Sequence, residues 1–180
     1  MLTVQPGSIS MVRVTSLQPG EIFIVSGGGG DFVAVAVENE EQRYMSWLRL
    51  TGENRFLLDR LEGGSYRTHA ANVLRLGLHW NDLQLRMDET RIKRIGVVPI
   101  VGCLLVAELP SIVAKFWASD DRDEDDAFGV SLKNISREYV SHGGYCCDKW
   151  QLVHVPPGLP PAVVAEFSPP QKMTSEPLRT

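Results

Sequence analysis

The sequence predicts a mainly β protein: an antiparallel sandwich of jelly-roll-like type, or a barrel, with one or two short helices. Two observations carry this prediction. Apolar and polar residues alternate strictly on both sides of Asn81-Asp82, and short β-branched or aromatic runs recur along the chain between Pro, Gly and charged residues. No repeat of fixed period is visible.

The alternation is the more specific of the two. Leu74, Leu76, Leu78 and Trp80 precede Asn81-Asp82, and Leu83, Leu85 and Met87 follow it. Read as a hairpin with a two-residue turn, this sets Trp80 opposite Leu83, Leu78 opposite Leu85 and Leu76 opposite Met87. Every apolar residue then falls on one face, while His79 pairs with Gln84 and Arg75 with Asp88 on the other.

Upstream, 22–25 and 32–37 read as strands joined across a loop holding four consecutive glycines, 27–30. A glycine loop cradles phosphate when a helix N-terminus follows it. A β-branched strand follows here, so a hairpin loop is expected. Asn39-Glu40-Glu41-Gln42 carries a capping residue, early acids and a glutamine three positions on, which predicts a helix to about Leu50. The same stretch also alternates, with Arg43, Met45, Trp47 and Arg49 against Tyr44, Ser46, Leu48 and Leu50. A second helical turn is expected over 56–61, before Gly63-Gly64. Downstream, 97–109, 112–118, 128–132, 150–155 and 163–167 read as strands. The expected organisation is one β-rich domain over 1–155 and a Pro-rich arm over 156–180.

At 180 residues, 43% hydrophobic and 22% charged, the chain is ordinary globular material that can bury a real core. A formal charge of -4 and a pI near 5.6 give no general drive toward nucleic acid or acidic lipid. Basic residues crowd between Arg43 and Arg94, so any anion-binding surface is sought there. Three cysteines, two of them adjacent at Cys146-Cys147, make a poor disulfide framework, and a reducing compartment or a virion is expected. The first six residues lack the basic and apolar blocks of a secretory signal. The apolar stretch 95–107 falls short of the ~18 residues of a spanning helix and contains Pro99 and Gly102, so no membrane span is expected.

Several clusters carry ligand chemistry by residue type. Asp121, Asp123 and Asp125 have calcium-loop spacing, but the turn-glycine position holds Asp126 and the bidentate-acid position holds Leu132, so a solvated acidic loop is expected. His142, Cys146, Cys147 and His154 could give nitrogen and sulfur to zinc. Structural zinc uses ligand pairs two to four residues apart, and adjacent cysteines rarely both reach one ion. No metal and no cofactor are therefore expected, with His142, Cys146 and His154 as the weak candidates. No Gly-x-Ser-x-Gly elbow occurs, His69, His79 and His142 are scattered, and no catalytic residue is assigned. Trp47 between Arg43 and Arg49 would make a stacking platform on an exposed strand, and these three with His79 are the candidate ligand-binding residues. On a helix, Trp47 would pack inward instead. Arg91, Lys93 and Arg94 with Asn134-Ile135-Ser136 are similar in residue type to the arginine and Asn-x-Ser motifs of cyclic-dinucleotide-binding PilZ barrels. The arginine spacing differs and Tyr139 stands where that family has glycine, so the likeness assigns no family.

Two functional classes follow. The first is a non-enzymatic β-domain acting through subunit contacts in a homo-oligomer or larger shell, a virion among them, with its arms crossing to neighbours. Proline-fixed dihedrals lower the entropy lost when an extended arm docks, and Val163, Val164 and Phe167 supply an apolar strand, which either anchors on a neighbour or closes the protein's own sheet. The second is a small-ligand binder or metal-dependent enzyme working in a barrel mouth, with His69, His79 or His142 facing inward.

Overall fold

The computed structural model describes residues 8–26, 30–38, 46–52, 54–60, 72–95, 100–107, 110–116, 127–139 and 144–169. They form fifteen strands: β1 (Ser10–Arg13), β2 (Glu21–Val25), β3 (Phe32–Val37), β4 (Ser46–Arg49), β5 (Leu57–Arg60), β6 (Asn72–His79), β7 (Leu83–Met87), β8 (Ile92–Arg94), β9 (Leu104–Val106), β10 (Ser111–Phe116), β11 (Ala127–Ser131), β12 (Arg137–Tyr139), β13 (Tyr145–Cys147), β14 (Trp150–His154) and β15 (Ala162–Phe167). Helical structure among the described residues is confined to single 3-10 turns such as Val14–Ser16, Trp80–Asp82 and Glu89–Arg91.

The strands divide between a twelve-stranded sheet, running β1-β6-β2-β3-β4-β5-β10-β9-β13-β8 with β11 and β12 beside β10, and a three-stranded sheet, β15-β14-β7. The path of the large sheet has separate ends at β1 and β8, so the described strands close no barrel. All pairs within the sheets are antiparallel except the short contact of β5 with β10. The fold is an antiparallel β-sandwich, as the sequence predicts.

The main core lies where Leu48, Leu58, Leu76, Leu78, Ile112 and Cys147 of the large sheet meet Leu152, Val164 and Phe167 of the small one. At its centre the ring of Phe56 lies 5.4 Å from that of Trp150 and 5.7 Å from that of Phe167. The Trp150 indole N–H donates to the Gly102 carbonyl at 2.8 Å. Gly102 has φ +92°, and a Cβ there would sit 2.6 Å from both Phe56 and Phe167, so only glycine lets this turn approach the aromatic cluster. A second, smaller core joins Val14 and Leu17 to Phe23, Ala34, Ala36, Trp47 and Val73 on the other face of the large sheet. That explains the unbroken apolar run of β3: Val35 and Val37 face the main core, while Ala34 and Ala36 face the second.

The expected hairpin is not one. β6 pairs with β1 and β2, whereas β7 pairs with β14, so the two strands belong to different sheets and the segment between them is a corner. A two-residue hairpin turn of the favoured type needs positive φ at both central residues. Among the described non-glycine residues only Phe56 and Ile135 have it. Asn81-Asp82 instead continue a 3-10 turn closed by a capping box, in which Asp82 Oδ2 accepts from the His79 N–H at 2.8 Å and His79 Nδ1 accepts from the Asn81 N–H at 3.2 Å. The apolar alternation survives because strands in facing sheets turn their apolar sides toward each other: Leu76, Leu78 and Trp80 are buried, and Leu83 and Leu85 pack against them. Met87 at the rim is exposed.

The expected helix to Leu50 is replaced over its described part by β4, paired with β3 and β5. Residues 39–45 lie outside the described ones. The alternation of 46–50 governs because it puts Trp47 in one core and Leu48 in the other. The helical turn expected over 56–61 is replaced by β5; Phe56, at φ 66°, leaves the helical region, and its N–H and C=O are held by Arg49 and Lys115. The runs at 112–118, 128–132, 150–155 and 163–167 correspond to β10, β11, β14 and β15, and β9 falls within 97–109. The strand in the Pro-rich segment closes the chain's own small sheet, with Trp150 opposite Phe167 and His154 opposite Ala162.

Candidate functional site

The large sheet ends at β1, and beside that edge β6 carries a bulge. Phe23 pairs with Arg75 and Ile22 with Leu78, so Leu76 and Gly77 are two extra residues on β6. An even insertion leaves the facing of the side chains unchanged, so Leu76 and Leu78 both stay in the core. Gly77, at φ +66°, lies against Ser8, whose hydroxyl donates to the Leu76 carbonyl at 3.3 Å. The bulge opens an exposed cleft of about 400 Å³ lined by Ser8, Ser10, Glu21, Arg75, Gly77 and His79. Its charges are balanced: the Arg75 guanidinium donates to Ser10 Oγ at 3.2 Å and to Glu21 Oε1 at 3.4 Å.

His79, a sequence candidate, lines this cleft with both ring nitrogens engaged. Nδ1 accepts from the Asn81 N–H, which assigns the proton to Nε2, 3.2 Å from the Pro19 carbonyl. The ring thus caps the corner between the sheets and ties it to the turn before β2.

Trp47 and Arg49 come together on β4 around a carboxylate, that of Asp59, which no local sequence signal marks. The Trp47 indole N–H donates to Asp59 Oδ2 at 2.8 Å, and the Arg49 guanidinium grips the same carboxylate through Nε at 2.6 Å and a terminal nitrogen at 3.1 Å. Arg49 also lies 4.4 Å from the ring centroid of Phe32. Trp47 is buried edge-on against Phe23, so it presents no ring face to solvent. Arg43 lies outside the described residues.

Cys146 lies on β13 in the large sheet and His154 on β14 in the small one. His154 is partly buried, and its Nδ1 is shielded without a hydrogen-bond partner among the described residues. Among the described residues no group of three or more His, Cys, Asp or Glu is placed to hold a metal ion, and no helix is long and apolar enough to cross a membrane. His69, His142 and the acidic run 120–126 lie outside the described residues.

Cys146 and Cys147 run into a second centre, around Asp148, a residue only 2% exposed. Register places β8 against β13, with Lys93 opposite Cys146 and Ile92 opposite Cys147. This brings Arg91 and Lys93 onto the Asp148 carboxylate: Arg91 donates through Nε at 2.8 Å and a terminal nitrogen at 3.1 Å, and Lys93 forms an ion pair with Oδ2. Burial opposes ionisation of Asp148, but the hydrogen bonds from Lys93 and Arg91 outweigh it and hold the carboxyl below its ordinary value. A depressed folded-state pKa contributes stability above the unfolded value of about 3.9, and that stability is lost as pH falls through the lower folded value. Asp148→Asn is therefore expected to be less stable than the parent at neutral pH and to lose less of its remaining stability below about pH 3.9. Urea midpoints at neutral and acid pH check this; parallel pH dependences would remove the role given to Asp148. Arg91 and Lys93 stand out in the sequence as basic residues, but nothing local marks Asp148 as their partner, since the centre forms only through the pairing of β8 with β13.

Compared with known proteins, the chain matches no family model, no curated protein and no solved structure to a significant degree.

Proposed function

We propose that the chain is a non-enzymatic interaction domain that works through contacts between copies of itself, as a homo-oligomer or a subunit of a larger shell. The observation that carries this reading is the outer edge of β1. That strand pairs with β6 on one side, and no described residue pairs with the other. Soluble proteins usually blunt such an edge with a short strand, charged side chains, proline or a bulge, and β1 has its four-residue length and the exposed Arg13 at one end. Here Met11 is 63% exposed at the strand's middle and Ile9 is exposed beside it. Antiparallel pairing of two β1 strands about a two-fold axis would satisfy the backbone groups that no described strand pairs with, and bring the two Met11 side chains together. In this reading the Pro-rich sequence after β15 would serve as an arm to a neighbour. Sandwiches, jelly rolls among them, tile capsids, and a virion or shell protein is the assembly in view.

Light scattering of the full chain, beside circular dichroism, tests the proposal. The full chain is expected to run as an oligomer. Met11→Lys and deletion of 168–180 are each expected to lower its mass while leaving the β spectrum unchanged. A monomeric parent at working concentration, or variants that keep the full mass, would overturn the reading and bring forward a small-ligand role for the cleft beside β1.

A further inference from the structure

One apolar row crosses four strands of the large sheet and stops at its open edge. Register sets Val33 opposite Ile24, Ile24 opposite Leu74 and Leu74 opposite Met11, so the four side chains share one face of the sheet. Val33, Ile24 and Leu74 are partly buried and pack against the main core, which fixes that face as the one turned toward the small sheet. Met11 ends the row and is 63% exposed, more than Met87, the other described methionine, at the rim of the small sheet. Met1, Met45 and Met173 lie outside the described residues. In the two-fold pairing of β1 strands, on which this inference rests, the row would run on from Met11 into the Met11 of the second copy.

We propose that Met11 is an oxidation site that governs assembly: hydrogen peroxide converts its thioether to the sulfoxide, and the sulfoxide keeps two copies from pairing. The Met11 sulfur attacks one peroxide oxygen; the O–O bond breaks, an S–O bond forms, and the displaced hydroxide takes the proton from the transferred oxygen and leaves as water. The sulfur gives two electrons to one peroxide. Before oxidation the thioether is apolar and adaptable, and it suits the end of an apolar row. Afterwards it carries a polar oxygen whose neighbours along the row, Leu74 and the second Met11, offer no donor. Covering that oxygen costs its hydration without a hydrogen bond in return. A strand of four residues has few ladder bonds to offset the loss. Access adds direction, because the sulfur is open to peroxide in the single chain and covered in the pair, so oxidation captures chains as they separate.

The test is partial oxidation of the full chain with hydrogen peroxide, separation by size, and mapping of methionine sulfoxide in each fraction beside circular dichroism. Met11 sulfoxide is expected in the single-chain fraction at 20.0 kDa and the Met11 thioether in the oligomer, with Met87 sulfoxide divided evenly between them and the β spectrum common to both. Treatment of the single chains with a methionine sulfoxide reductase and dithiothreitol should return them to the oligomer. Equal Met11 sulfoxide in the two fractions, a mass that follows another methionine, or a single-chain fraction that has lost its β spectrum would overturn the proposal. A chain already monomeric before peroxide is added would overturn the assembly reading itself, and this inference with it.

Discussion

Replacing Trp80 by alanine is expected to lower stability by about 3 to 5 kcal/mol in a urea melt. The indole stands at the corner where the chain leaves the large sheet for the small one, buried among residues of both. Its backbone N–H donates to the Gly20 carbonyl at 2.7 Å and its ring N–H to the Leu132 carbonyl at 2.9 Å. Truncation removes the ring volume between the sheets and leaves the Leu132 acceptor without its donor. Trp80→Phe keeps most of the volume and loses the ring donor, so a smaller cost of about 1 to 3 kcal/mol is expected. A loss under about 1 kcal/mol for the alanine variant would show that the corner does not join the sheets as described.

Removing the Asp59 carboxylate is expected to be comparably damaging. The Arg49 side chain is 18% exposed and that of Asp59 7%, and the carboxylate is shared by the Trp47 indole and the guanidinium. Asp59→Ala leaves a largely buried cation and a buried indole N–H without their acceptor, which costs about 3 to 5 kcal/mol for a fully buried pair and somewhat less here because Arg49 retains some solvent. The pair itself is not expected to be worth that much. Arg49→Met with Asp59→Leu, which removes both charges, should recover a substantial part of the loss. If the double variant is as unstable as Asp59→Ala, the cost lies in packing around β4 and β5 rather than in the stranded charge.

How much of this was readable in the sequence depends on the range of the interaction. The β class, and the places of β2, β3, β10, β11, β14 and β15, follow from local composition and period, and the structure keeps them. The sequence predicts a hairpin at the Trp80–Asp82 corner because apolar alternation reports only which side of a strand is buried, not which strand lies beside it. The distinguishing signal was present: Asn81-Asp82 lacks the glycine that a tight hairpin prefers, and His79 with Asp82 has capping potential. At 46–50 a capping signal from the preceding residues outweighed an alternation that the two cores enforce. The Asp59 and Asp148 centres could not be read, because each depends on strand register between segments the sequence does not link. Trp47 and Arg49 were singled out for their chemistry, and the structure brings them together on a buried carboxylate.

The separation of β6 and β7 into different sheets also bears on how the chain reaches its native state. A hairpin can zip from its turn, each pair forming beside the last. Here the turn brings no backbone partners together, and β7 must wait for β14 from the far end of the chain before any of its ladder bonds can form. Loop closure over such a span costs entropy before contacts repay it, so slow folding with late assembly of the small sheet is expected. Until then the apolar side of β7 stays open to solvent, the interval in which such a chain most needs protection from association with its own kind.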